Sequence, residues 1–180
     1  NCLYCPQDLL SQSRQGHKLS LTIPDFQQSI DNIDLKNVAI SWTGYSEATL
    51  HSAFPEFLRI AGKRKLPQVI STTLAGREDC ALAAINFKHW FNFSLHLPDD
   101  KGLMRGLSVT PKYLELLDYA FSTRSGNKVA PTKIICFGEN LHPEVQRVVD
   151  KHIELGNFNS KNLKLRGQVS TRCDSISSDK

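Results

Sequence analysis

Two cysteines near the start of the chain, Cys2 and Cys5, are spaced so that both thiolates can reach one centre. A C-x-x-C pair of this kind binds zinc, binds an iron–sulfur cluster, or forms a redox disulfide. A zinc site needs two further ligands, and Cys173 is the only other cysteine in a polar setting. The pair therefore indicates metal or redox chemistry without deciding among these three.

Polar side chains also lie where predicted strands end. Residues 43–49 (Thr-Gly-Tyr-Ser-Glu-Ala-Thr) follow one strand, residues 71–73 (Ser-Thr-Thr) end the next, and Ser94 and His96 end a third. Two interpretations stay open for the first and the third of these segments. Residues 43–49 form either a ligand loop or a plain loop, and Ser94 either meets a ligand or caps its own loop. His96 could bind substrate, transfer a proton or face solvent.

The elements that position these residues alternate along the chain. Strands are predicted at residues 38–42, 69–73, 90–95, 133–137 and 163–169, and helices at residues 25–33, 54–62, 79–87, 111–121 and 143–155. Such alternation predicts βαβ units and a parallel sheet. The sheet is either an incomplete TIM-like (β/α)6 barrel, with a sixth strand ending just before Cys2, or an open doubly wound sheet. Both bind ligands at the carboxyl ends of their strands.

Composition is that of one globular domain. The chain has 180 residues, 40% of them hydrophobic and 22% charged, with a net charge of +4. The positive charges are scattered, which argues against a nucleic-acid surface. No apolar stretch is long enough to span a membrane. Cys80 and Cys136 lie in apolar patterns and are predicted to be buried, and the irregular cysteine spacing favours a reducing, cytoplasmic setting.

Residues 1–7 (Asn-Cys-Leu-Tyr-Cys-Pro-Gln) resemble the second half of the radical S-adenosylmethionine (radical SAM) signature, C-x-x-x-C-x-(aromatic)-C. Cys2 and Cys5 match its second and third cysteines, and Tyr4 matches the aromatic position. The first cysteine would lie four residues before Cys2. In that family three thiolates hold a [4Fe–4S] cluster and one iron stays open for S-adenosylmethionine.

Residues 42–51 resemble the family's glycine- and glutamate-containing loop. By this resemblance Gly44, Tyr45 and Ser46 pass close to the methionine moiety, and Glu47 pairs with its ammonium group. Ser46 stands where glycine is usual, and Ala48 replaces a proline. The first departure weakens the expected backbone contact.

Residues 93–96 and 104–106 are similar to the family's fourth strand and the Arg-Gly pair that follows it. The resemblance implies that Ser94 contacts the ribose, and that Tyr4 lies near the adenine. Residues 168–176 resemble the stretch that, in some members, leads into a domain with auxiliary iron–sulfur clusters. We therefore expect a radical SAM core over residues 1–169, truncated at its N-terminus, and the start of a C-terminal extension over residues 170–180.

The resemblance implies an enzyme that uses a [4Fe–4S] cluster to cleave S-adenosylmethionine reductively and abstract hydrogen from a substrate. An electron donor such as a flavodoxin or ferredoxin would serve it. The tail favours a peptide or protein substrate, although many enzymes acting on small molecules share the core. Two alternatives stay open: a catalytically degenerate barrel that acts as a binding module, and a zinc-stabilised α/β domain.

Overall fold

Helices and strands alternate through the part of the chain that the computed structural model describes, which is residues 20–34, 36, 38–44, 46–125 and 133–166. The order is α1 (Ile23–Asn32), β1 (Ile40–Trp42), a 3-10 turn (Ala48–Leu50), α2 (Phe54–Lys63), β2 (Gln68–Thr72), α3 (Glu78–Asn86), β3 (Trp90–His96), α4 (Pro111–Ser125), β4 (Lys133–Cys136), α5 (Pro143–Glu154), a second 3-10 turn (Ser160–Asn162) and β5 (Leu163–Leu165). All five predicted strands and all five predicted helices are confirmed, with most ends displaced by one or two residues. The strand predicted at 163–169 ends at Leu165, and its residues 167–169 lie outside the described part.

Proline begins several of these helices because its fixed φ suits the first turn, where its missing N–H has no partner to lose. Pro24 stands in the first turn of α1, and the hydroxyl of Thr22 accepts a hydrogen bond from the backbone N–H of Asp25 at 3.3 Å. In α5, Pro143 follows His142, whose Nδ1 accepts from the N–H of Glu144 at 3.4 Å. Local sequence therefore determines where these helices start.

The five strands form one parallel sheet in the order β1-β2-β3-β4-β5. The expected α/β class with a parallel sheet is thus confirmed, and the described strands do not close on themselves. Each strand lies beside its predecessor in the chain, whereas a doubly wound sheet reverses its order at a switch point. The carboxyl ends of all five strands therefore meet at one rim, with no reversal among them.

The helices pack on one face of this sheet, as right-handed crossovers between successive neighbouring strands require. The main core joins alternate strand residues to helix residues, and its most deeply buried large members include Phe93, Leu95, Leu117, Phe121 and Ile134. Cys80 and Cys136 are buried in the same core, as predicted. Burial raises the pKa of both thiols, so they pack as small apolar groups.

Strand β3 contains an irregularity where it pairs with β2. Gln68 pairs with Trp90, but the next pair is Val69 with Asn92, so Phe91 is an extra residue on β3. Phe91 is 75% exposed. Trp90 and Phe93, three positions apart, both enter the core beneath the helices. In a regular strand, residues an odd number apart point to opposite faces, so the bulge brings Trp90 to the helix side.

The opposite face, which these helices leave uncovered, carries mostly polar side chains; we call it the helix-free face. Strand registers arrange it in rows: Ser71, Ser94 and Lys133 form one, and His96, Ile135 and Lys164 form the next. In parallel sheets covered on both sides, strands are apolar on both faces. The hydroxyl and ammonium groups give this face a polar character, and its exposure varies from Ser94, which is buried, to Lys164, which is exposed.

No helix among the described residues is long and apolar enough to cross a bilayer.

Helices α4 and α5 are joined by a polar contact around His152, which is fully buried. Its Nε2 lies 3.0 Å from Oδ1 of Asp118, and its Nδ1 lies 2.9 Å from Nδ2 of Asn157. Because an amide N–H₂ only donates, Nδ1 accepts and Nε2 donates to the carboxylate. Lys151 also donates to Asp118 at 2.6 Å. The hydrogen bond from Lys151, followed by that from His152, lowers the pKa of Asp118.

The lowered pKa predicts a pH-dependent contribution of Asp118 to stability. A carboxyl with a folded pKa below its unfolded value of about 3.9 stabilises the fold above that value, and loses this contribution as pH falls through the folded pKa. We therefore expect Asp118→Asn to lower the free energy of unfolding at pH 6, and the deficit to shrink below about pH 4. Urea denaturation at pH 6 and at a pH below about 4 measures this deficit in the free energy of unfolding. Asp150→Asn, on the exposed side of α5, is the control and should change the free energy of unfolding little, because among the described residues its side chain bonds only to the neighbouring Gln146 of the same helix.

Candidate functional site

The Glu47 carboxylate lies at the rim of the sheet, where it is held by three threonines. Its Oε1 accepts from the N–H of Thr49 at 3.2 Å, from the hydroxyl of Thr49 at 2.8 Å, and from the hydroxyl of Thr72 at 2.6 Å. Its Oε2 accepts from the N–H and hydroxyl of Thr73 at 2.7 and 2.8 Å. Five donors thus fix a side chain that follows β1 against the end of β2.

Two local features bring these donors together. Glu47 is the N-terminal cap of the first 3-10 turn, so its side chain bends back onto the N–H of Thr49. Thr72 and Thr73 stand at the carboxyl end of β2, where consecutive side chains leave the strand on opposite sides. The carboxylate therefore lies between the two hydroxyls and binds β1's loop to β2.

A close backbone contact also joins the loop after β1 to the loop after β2. Thr49 is fully buried, and its carbonyl accepts from the N–H of Arg77 at 2.9 Å. A Cβ on Gly76 would lie 2.2 Å from Oγ1 of Thr49 and 2.3 Å from its carbonyl carbon. Glycine is therefore needed at position 76 because no side chain fits there.

The Glu47 charge has hydrogen-bond donors but no cationic partner, since no ion pair among the described residues involves it. All five donors are neutral groups, so they orient the carboxylate without cancelling its charge. Such a group at the strand rim suits a ligand cation, and an ammonium group in particular. The ammonium of S-adenosylmethionine therefore fits the charge of this residue. It would share oxygens that the threonines already occupy, and threonine hydroxyls can rotate to other acceptors.

Ser94 lies on the helix-free face, one strand away from the Thr72–Thr73 pair. It is two residues before the end of β3, because this strand continues to His96 rather than ending at Leu95. Ser94 pairs with Ser71 of β2, is 5% exposed, and its hydroxyl donates to Oδ1 of Asn92 at 3.4 Å. The structure thus places Glu47, in the loop after β1, and Ser94, in β3, on either side of β2, with Ser94 farther from the rim.

His96 ends β3 on the helix-free face and is half-buried. Burial is the main cause that lowers the pKa of His96; the Glu47 charge raises it, and the Arg166 and Lys133 charges lower it further. Its imidazole is therefore neutral near pH 7 and can accept or donate a proton. Charged residues from three different segments act on this one ring.

Of the other predicted site residues, two are described by the structure and four are not. Gly44 has φ of +126°, a conformation that side chains rarely adopt, although a Cβ there would meet nothing within 4 Å. Ser46, beside it, is exposed. The rest, Cys2, Tyr4, Cys5 and Tyr45, lie outside the described residues. Within the described part, no group of three or more His, Cys, Asp or Glu side chains could hold a metal ion.

A buried tyrosine behind the Glu47 loop was not foreseen as part of the site. Tyr113 of α4 is 6% exposed, and its hydroxyl has no hydrogen-bond partner among the described residues. Burial first, and the Glu47 charge second, raise its pKa well above the usual range, so it stays protonated. It lines a groove of about 420 Å³ between α3 and α4, which Leu74 and Gly76 also border.

Sequence analysis also missed the threonines that hold Glu47. Sequence analysis places Thr49 in the loop of residues 43–49 and residues 71–73 at a strand end, without linking any of them to Glu47. The usable signal was the pair of consecutive threonines at a strand end, since hydroxyl and N–H donors there can serve a carboxylate.

Comparison with protein-family models, with curated proteins and with solved structures finds no match to this chain.

The contact at Gly76 predicts a large effect of a small substitution. We expect Gly76→Ala to lower the free energy of unfolding by about 1–3 kcal/mol, because the new methyl group must displace the backbone of Thr49. Gly62→Ala is the matched control. Its methyl group would lie 3.4 Å from the Phe87 ring, an ordinary contact, and it should be neutral or stabilising within a helix. Urea denaturation measures the free energy of unfolding of both variants. Equal values would contradict the close contact between Gly76 and Thr49.

Proposed function

We propose that this chain is the core of a radical SAM enzyme, in which Glu47 binds the ammonium group of S-adenosylmethionine. The observation that carries the proposal is the Glu47 carboxylate, which is fixed at the rim by five neutral donors and has no cationic partner among the described residues. The Cys2–Cys5 pair, which lies outside those residues, supplies the second support through its resemblance to the cluster signature.

The architecture proposed with it is an incomplete (β/α)6 barrel. Sequential strand order and helices on a single face support this proposal, because a sheet wound in one direction curls around its helix-free face. That face would become the interior. Its polar side chains suit an interior that holds a cofactor and a substrate rather than a packed apolar core.

Each residue has a defined task in this proposal. S-adenosylmethionine, bound to a [4Fe–4S] cluster, supplies the radical chemistry; Cys2 and Cys5 would ligate that cluster. Glu47 orients the amino group, Gly44 keeps the loop in its left-handed conformation, and Ser94 offers a hydroxyl to the ribose. The threonines act as positioning residues, since they contact Glu47 rather than the ligand.

A degenerate barrel that binds a ligand without catalysis is the second candidate. The five hydrogen bonds on Glu47 favour it, because about four lone-pair sites on a carboxylate are then already engaged. Ser46 and Ala48, which depart from the family loop, favour it as well. The two candidates differ in whether bound S-adenosylmethionine is cleaved.

The test uses the full-length protein, reconstituted anaerobically with iron and sulfide. We expect iron–sulfur absorption, and release of methionine and 5′-deoxyadenosine when a strong reductant is added. Glu47→Gln should keep the absorption and weaken binding of S-adenosylmethionine about ten-fold or more, since a charge-assisted contact is lost. Isothermal titration measures the binding.

Two controls make the result specific. Glu56→Gln removes an exposed carboxylate of α2 that pairs with Arg59, and should bind the cofactor normally. Thermal unfolding of each variant separates lost binding from lost fold. Absence of both absorption and cleavage would overturn the enzyme proposal, while binding without cleavage would support the degenerate barrel. Unchanged binding by Glu47→Gln would remove Glu47 from the site.

A further inference from the structure

Three cationic residues from two neighbouring strands and the residue after them come together on the helix-free face. Lys133 begins β4, Lys164 lies in β5, and Arg166 follows β5 directly. Strand alternation places Lys133 and Lys164 on the side away from the helices, because their neighbours Ile134 and Leu163 pack towards the main core. The β3–β5 half of the face is therefore positively charged.

The register fixes how these charges relate to Ser94 and His96. Lys133 pairs with Ser94, and Lys164 pairs with Ile135, which itself pairs with His96. Arg166 lies over the Phe137 ring, with Cζ 5.6 Å from the ring centroid. The ring centroid of Phe137 is 5.4 Å from that of His96. The cations thus surround the same space that the two β3 residues face.

No acid of the described residues forms an ion pair with these three cations. The acids of the adjoining loops bind other groups. Glu139 pairs with Lys101, and Asp99 accepts the backbone N–H groups of Lys101 and Leu103. The positive charge of the face is therefore available to a ligand.

The geometry points to an anion site on this face, in which Lys133, Lys164 and Arg166 bind a carboxylate or phosphate group of the substrate. The guanidinium group suits either anion through paired N–H donors, and the two ammonium groups add charge. Glu47 lies at the opposite side of the face, so a cationic group and an anionic group would bind at separate ends. The substrate assignment rests on the proposed function, but anion binding itself does not require catalysis.

The experiment measures anion binding on the purified chain without iron or S-adenosylmethionine. Inorganic phosphate and glutarate are titrated separately and followed by the NMR shifts of the Ile135 and Lys164 amides, with isothermal titration alongside. Saturable binding of phosphate indicates a phosphate-bearing substrate, and saturable binding of glutarate indicates a carboxylate-bearing one. We expect the Lys164→Gln, Arg166→Gln double variant to lower the affinity for the anion at least about ten-fold.

The matched control is a Lys63→Gln, Arg147→Gln double variant, which removes the same charge from exposed positions of α2 and α5. Its affinity should equal that of the unmodified chain. Equal weakening in both double variants would overturn the site, since only net charge would then matter. Failure of both anions to saturate would also overturn it. Neither result depends on whether S-adenosylmethionine is cleaved, so this inference and the proposed function fail separately.

Discussion

The rim of the sheet depends on one partly buried arrangement, in which the Glu47 carboxylate collects donors from two consecutive loops. Without it, the N–H of Thr73 and the hydroxyl of Thr72 would lose the acceptor they share across β1 and β2. Unmet donors in such a setting are costly. The contact of Gly76 with Thr49 closes the same junction from the other side. A carboxylate is thus held in place by neutral partners from two loops.

The one-directional winding of the chain separates structural from chemical roles. Residues such as Phe93 and Ile134 bury their side chains beneath the helices, while Ser94 and Lys133, their direct neighbours, face the other way. The helix side supplies stability through apolar burial. The helix-free side can therefore carry uncompensated polar groups, since the core does not depend on them.

Sequence patterns predicted the elements well because apolar alternation and helix-opening prolines act locally. They also identified Glu47 and Ser94 as site candidates from their places after strands. The partners of Glu47 could not be assigned, because Thr72 and Thr73 reach it only once β1 and β2 pair. The cationic group was missed for the same reason: charges in β4 and β5 look scattered until the registers align them. The cysteine motif stays a prediction, since it lies outside the described residues.

The bulge in β3 has a consequence for how the strand could vary in length. Phe91 is the residue that the pairing with β2 skips, and its side chain projects into solvent. Removing it would leave Trp90 and Phe93 separated by one residue, which is the spacing of a regular strand with both rings on one side. Deleting Phe93 would instead move Ser94 and Leu95 to the opposite faces of the sheet. The bulge is therefore a place in this strand at which the chain can be shortened while its core-facing and helix-free sides are kept.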